Sequence, residues 1–152
     1  MISRVRDFFV EVENYMIGLV IVTHSGLGEA LIEAGESILE VPLDAVIAVS
    51  VDLRQSAEKM REKINTAIKA VEKGKGVLIL TDMFGGTPSN LSLSFLEEGR
   101  IEVLTGVNLP VVIRAAKMRK ENNLDELAET LQAYGKKSIS LASSVLKGNK
   151  RT

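Results

Sequence analysis

The stretch "GVLILTDMFGGTPSN", residues 76–90, holds two kinds of order in one short segment. Its first half is a continuous apolar run, rich in Val, Leu and Ile, that stops at Asp82. Such a run, with no polar alternation, reads as a strand buried on both faces, the habit of parallel sheets. Its second half opens a helix. Thr87 suits the N-cap, and Pro88 suits the first helical position, where a missing N–H costs nothing. A doubly buried strand running almost directly into a helix is half of a βαβ unit.

The chain on either side repeats the alternation. "IGLVIVT" (17–23), "AVIAVSVD" (45–52) and "IEVLTG" (101–106) are further strand-like runs. Leu27, Leu31, Ala34 and Ile38 recur at helical spacing, as do Ala57, Met60, Ile64, Ala67 and Val71. "KGKG" (73–76) stops the second of these helices. "GVNLPVV" (106–112) repeats the cap-and-proline device with Asn108 and Pro110. Leu124, Leu127, Ala128, Leu131 and Tyr134 mark a last amphipathic helix that stops near Gly135, and "KSISLAS" (137–143) alternates like a short strand.

The predicted order β-α-β-α-β-α-β-α-α-β is an α/β fold: an open, mainly parallel sheet flanked by helices on both faces. Right-handed crossovers in so short a chain favour the strand order 2-1-3-4. The last strand is expected as an antiparallel edge, either on its own subunit or exchanged with a second one. No internal repeat or linker divides the chain. One domain is therefore expected over residues 16–146, with residues 1–15 as an N-terminal extension and 147–152 as a tail.

Composition narrows the function. The 152 residues are 45% hydrophobic and 26% charged, with a formal net charge of -1. That balance offers no basic surface for nucleic acid or anionic membrane. No apolar run reaches the roughly 18 residues of a membrane span, and "FFV" near the N-terminus is too short for a signal-peptide core. With no cysteine and one histidine, thiolate chemistry is excluded and a zinc site is poorly supported, so no metal is expected.

The one histidine, His24, follows the first strand in "VTHSG". In an open α/β sheet ligands gather outside the carboxyl ends of the strands, where the strand order reverses. With order 2-1-3-4 that point lies between the first and third strands, so His24 and Asp82 emerge side by side. A carboxylate accepting the Nδ1 proton fixes the imidazole tautomer and leaves Nε2 as a nucleophile. Gly85 and Gly86 permit close approach, the helix start offers unpaired N–H groups, and the hydroxyls of Thr87 and Ser89 add donors. Ser25 and Gly26, in "HSGLG" (24–28), approach from the other side. A lone histidine is ordinarily a surface or satisfied core residue. Its coincidence with Asp82 and "GGTP" at the switch point argues for a phosphoryl acceptor.

A dinucleotide-binding reading competes, because "SGLGEAL" partly mimics G-x-G-x-x-G and Asp52 ends the second strand. Leu31, however, stands where the third glycine belongs. The phosphate-binding motif G-x-x-x-x-G-K-[ST] of nucleotide kinases occurs nowhere in the chain.

Together, "GLVIVTHSGLGEAL", "GVLILTDMFGGTPSN" and "EVLTGVNLP" resemble the enzyme IIA component of the mannose-type bacterial sugar phosphotransferase system, over about residues 16–146. The resemblance implies a cytoplasmic homodimeric carrier without a cofactor. It would take a phosphoryl group from the histidine-containing phosphocarrier protein and pass it to a IIB domain. The family's active histidine falls on His24, the aspartate that holds it on Asp82, and the hydroxyl that contacts the phosphoryl group on Thr87. The C-terminal strand of family members crosses to the partner, which suits "KSISLAS", and no fused IIB domain is expected here. Two neighbouring roles share these features: a regulatory phosphocarrier without a permease, and the phosphotransfer subunit of dihydroxyacetone kinase. In the latter the loop after the third strand reads more like Gly-Ser-Ala than "FGGTPSN".

Overall fold

From residue 18 onward the described chain runs β1 (Gly18–His24), α1 (Leu27–Leu39), β2 (Val46–Val51), α2 (Ala57–Val71), β3 (Val77–Thr81), α3 (Thr87–Leu93), β4 (Ile101–Thr105), α4 (Leu109–Met118), α5 (Leu124–Lys137) and α6 (Ala142–Gly148). The structure, a computed structural model, describes residues 4–7 and 14–148. Most of the expected extension 1–15 and of the expected tail 147–152 lies outside the described residues. The strands pair in parallel in the order β2-β1-β3-β4, as the sequence predicts.

Side-chain alternation along β1 divides the core in two. Val20 and Val22 face α2 and α3, packing with Val49, Val51, Ile64, Ile79 and Leu91. Ile17, Leu19 and Ile21 face the other way, onto Leu78, Leu80, Val112, Leu127 and Leu131 of β3, α4 and α5. Each fully buried Leu, Ile or Val contributes roughly 1.5–3 kcal/mol of transfer free energy, and β1 and β3 supply an unbroken run of them. That is why the central strands carry no polar alternation. It is also why the residues ending them are held in place.

Three local expectations are corrected. In α1 the stripe Leu27–Leu31–Ala34–Ile38 is not the buried face: Leu27 and Ile38 are exposed. The buried positions are Gly28 and Gly35, with Leu31 and Ile32 partly covered. A Cβ at Gly28 would stand 3.1 Å from Ala48 Cβ and 3.2 Å from the Ile21 carbonyl oxygen. The helix lies close enough to the sheet that a side chain there would be crowded, and hydropathy is blind to glycine. In α3 the N-cap is Gly86 and not Thr87, and no side chain caps this helix.

The third correction concerns the C-terminus. Residues 137–143 form no strand: α5 continues through Gly135 to Lys137, and α6 begins at Ala142. Gly135 serves helix packing, since a Cβ there would stand 3.0 Å from Val111 Cγ2 of α4. Lys136 and Lys137 complement the carboxyl end of the helix dipole. Ser138 then closes the helix, donating to the Gly135 carbonyl at 2.7 Å and accepting from Asn108 Nδ2 at 2.9 Å. Asn108 also caps α4 through Val111 N–H at 2.9 Å. These cap bonds fix Ser138 at a helix end.

Candidate functional site

The site grows from the ends of β1 and β3. Their pairing runs to Val22↔Thr81, so His24 and Asp82 leave the sheet next to each other. Asp82 Oδ2 accepts twice from His24, from the backbone N–H at 2.9 Å and from Nδ1 at 2.7 Å. Its Oδ1 accepts from the Met83 N–H at 2.9 Å. A carboxylate only accepts, so Nδ1 carries the proton and Nε2 keeps its lone pair. The Asp82 side chain is 12% exposed and that of His24 is 41% exposed. Burial pushes the Asp82 carboxyl up. The bonds from His24, its charge and the Met83 N–H outweigh burial and hold the pKa below the ordinary carboxylate value. The carboxylate is therefore ionised throughout the neutral range.

The loop after His24 is anchored from both neighbours. Thr23, fully buried, points to the opposite face and accepts from Gly28 N–H at 3.0 Å, capping α1 in place of its N-cap residue Gly26. Ser50 donates its hydroxyl proton to the Ser25 carbonyl at 2.6 Å. Ser25 itself takes a left-handed φ of 48°. Neither Thr23 nor Ser50 was singled out from the sequence. A threonine closing an apolar strand just before a helix is the signal that marks Thr23.

The two glycines beyond Asp82 have different reasons. Gly85 has φ 85°, and a Cβ there would meet nothing within 4 Å, so conformation selects glycine. Gly86 has φ −81°, open to any residue. A Cβ on it, however, would stand 3.2 Å from His24 Cε1 and 3.8 Å from Nε2. Space selects glycine there, and the space lies against the Cε1–Nε2 edge of the imidazole.

The remaining expected residues are spread around this pair. Ser25, Gly26 and Thr87 are exposed beside it, Thr87 as the first residue of α3. Ser89 is not at the surface: it is fully buried, and its hydroxyl has no hydrogen-bond partner. The backbone N–H of Ser89, near the start of α3, is the part able to face an anion, since Pro88 has none. The segments that leave the ends of β1, β2 and β3 carry four exposed apolar side chains: Leu27, Leu53, Met83 and Phe84.

An open parallel α/β sheet with an aspartate-held histidine at its switch point defines the class: a domain built to present one imidazole at the carboxyl end of its strands. The chain belongs to the EIIA-man family, described as the PTS system fructose IIA component, whose model matches residues 18–132. It is 32% identical over 132 residues to the PTS system fructose-specific EIIA component of Bacillus subtilis, covering 86% of this chain and 90% of that protein. It is 30% identical to the PTS system mannose-specific EIIAB component of Escherichia coli K12 over 81% of this chain, which is only 38% of that longer protein. Among solved structures, EIIA of Streptococcus agalactiae superposes with a TM-score of 0.75 at 25% identity, covering 85% of this chain and 99% of that one. The mannose/sorbose specific IIA subunit of Enterococcus faecalis gives 0.72 at 26% identity, with coverages of 82% and 93%. The family that the three motifs resemble is thus the family whose model matches residues 18–132. The protein is a mannose-type IIA component of the phosphotransferase system.

Proposed function

We propose that His24 is a transient phosphoryl acceptor, taking the group from the histidine-containing phosphocarrier protein and passing it to a IIB domain in sugar uptake. The observation that carries this reading is the 2.7 Å bond between Nδ1 and Asp82. It leaves Nε2 as the nucleophile, facing the open space over Gly86. In the forward step the Nε2 lone pair forms a bond to phosphorus. The bond from phosphorus to the donor's histidine nitrogen breaks, and that nitrogen takes the electron pair. The imidazole gains positive charge as it reacts, and the ionised Asp82 stabilises it. In this reading the N–H groups of Gly86, Thr87 and Ser89 and the Thr87 hydroxyl receive the phosphoryl oxygens, with Ser25 and the Gly26 and Gly85 backbone on either side. Transfer to the IIB domain is the same step in reverse. No cofactor is needed, because the group moves between nitrogen nucleophiles.

The exposed Leu27, Leu53 and Met83 support protein substrates, since apolar side chains on the loops and helix start about the site suit a docking protein surface. The family's sugar carriers work in the cytoplasm, and none of the described helices is long and apolar enough to cross a membrane. Homodimerisation through the β4 edge belongs to the same reading. Among the described strands β4 pairs with β3 alone, and a groove beside it is lined by Phe84, Leu93, Val103, Val111 and Ile139. An open parallel edge of this kind calls for a cover. The test of the carrier role is labelling from phosphoenolpyruvate with the two upstream carrier proteins. Wild-type protein is expected to take one phosphoryl group and His24→Ala none, with unchanged folding. Labelling of His24→Ala would overturn the assignment.

A further inference from the structure

The loops at the carboxyl end of the sheet hold an ionised Asp82 and, on the carrier reading, receive an anion beside it. Yet they carry little positive charge. Among the described residues, Arg54 is the only Lys or Arg in the four loops that follow the strands, residues 25–26, 52–56, 82–86 and 106–108. Its loop leaves the sheet beside the end of β1. Val51 is the register partner of His24, parallel strands run about 4.8 Å apart, and the loop bearing Arg54 leaves directly from Val51. Ser50, one residue earlier, is bonded to Ser25.

Arg54 is tied back by its own loop. Its Nε and Nη2 donate to the two carboxylate oxygens of Asp52 at 3.1 and 3.3 Å, and its backbone N–H donates to Oδ1 at 3.0 Å. The Arg54 side chain is 91% exposed, so solvent and salt screen this pair and it is readily exchanged. A phosphoryl group is a better partner for the guanidinium fork, with more charge and more acceptor oxygens than a carboxylate.

We propose that Arg54 is a phosphoryl-binding residue that exchanges Asp52 for the phosphoryl oxygens on Nε2 when His24 is phosphorylated. The proposal rests on His24 as the acceptor. Phosphorylation sets a dianion beside the Asp82 carboxylate, and Arg54 adds to the positive ring a second countercharge, one that none of the other loop residues supplies. Asp52 parks the guanidinium in the unphosphorylated protein and keeps the approach to Nε2 open.

The test needs no carrier protein. Phosphoramidate phosphorylates imidazole directly, releasing ammonia as the phosphoryl group moves to nitrogen, and the single histidine gives a single product. Titration of that product by phosphorus NMR reads the second ionisation of the phosphoryl group. A guanidinium in contact favours the dianion and lowers the midpoint. Arg54→Gln is expected to raise the midpoint by about half to one pH unit, and Arg54→Lys to recover part of the shift. The difference is expected to persist at about 0.5 M salt, where long-range effects are screened. In an Asp52→Asn background, where nothing competes for the guanidinium, removing Arg54 is expected to raise the midpoint further than in the wild type. Identical midpoints for wild type and Arg54→Gln would overturn the proposal. If Arg54→Gln only weakens binding of the donor protein, the residue belongs to docking and the proposal is wrong. Wild-type protein that accepts phosphate from phosphoramidate but not from the carriers would refute the carrier role, while the titration would still decide Arg54.

Discussion

Replacing Gly86 by alanine separates the room around Nε2 from the stability of the loop. The new methyl would stand 3.2 Å from His24 Cε1, 3.5 Å from Met83 Cγ and 3.8 Å from Nε2. Carbon contacts are comfortable at about 3.5–4.0 Å, so the ring or the loop must yield by a few tenths of an ångström. Asp82 pins the ring through Nδ1, which leaves the loop to move. The backbone has no objection, since φ at Gly86 is −81°. Gly→Ala reduces unfolded-state entropy by about 0.4–1 kcal/mol, while alanine is a poorer N-cap than glycine by a similar amount. The two effects nearly cancel, and stability is expected to change little. Transfer is a different matter, because phosphorus and its oxygens must come within about 3–3.5 Å of Nε2 in line for attack. A misplacement approaching an ångström slows such a reaction by about 10²-fold. Gly85→Ala is the control: it crowds nothing, but its φ of 85° is unfavourable for alanine, at about 1–2 kcal/mol. Urea unfolding and single-turnover phosphoryl transfer, measured on both variants, are expected to show opposite patterns. Transfer by Gly86→Ala at the wild-type rate would refute the reasoning, because Nε2 would then not receive phosphorus over Gly86.

Asp82→Asn keeps the shape but loses the carboxylate that holds Nδ1–H, and single-turnover transfer is expected to fall by about 10²- to 10⁴-fold. Because the folded pKa of Asp82 is depressed, its stabilisation is present above the ordinary carboxylate value and is lost as pH falls through the lower folded value. Acid unfolding of Asp82→Asn is accordingly expected to lack that component, and superimposable acid transitions would contradict it. Thr87→Val removes a hydroxyl that caps nothing, so stability is expected to stay within about 0.5 kcal/mol while transfer slows; a stability loss with unchanged transfer would reverse the assignment. Sedimentation is expected to show a dimer that dissociates on placing Lys at Val103, in the groove beside β4. A dimer that survives this change has its interface elsewhere.

Much of the fold was legible because it depends on burial, which leaves a direct trace in residue type. Runs such as Val77–Leu80 are apolar on both faces because helices cover both sides, and order 2-1-3-4 follows from chain length and handedness. The juxtaposition of His24 and Asp82 was legible for the same reason, since topology alone brings those strand ends together. What the sequence could not express was close contact between backbones. Gly28 and Gly135 look like helix breakers, yet each sits inside a helix whose neighbour comes so close that a Cβ would be crowded, at 3.1 and 3.0 Å. The alternation in "KSISLAS" resembles a strand, but a strand forms only where an edge receives it. In the single chain the caps at Asn108 and Gly135 hold Ser138 at a helix end first. The sequence by itself therefore determined the sheet, its order and the histidine–aspartate pair, because hydrophobic burial and connectivity act residue by residue. Only the tertiary structure decided that both hydrogens bound by Asp82 Oδ2 come from His24, that Ser89 is buried, and that Gly86 is the wall beside Nε2. Those facts depend on distances, settled to within a few tenths of an ångström, between segments far apart in the chain, and residue types do not encode distance.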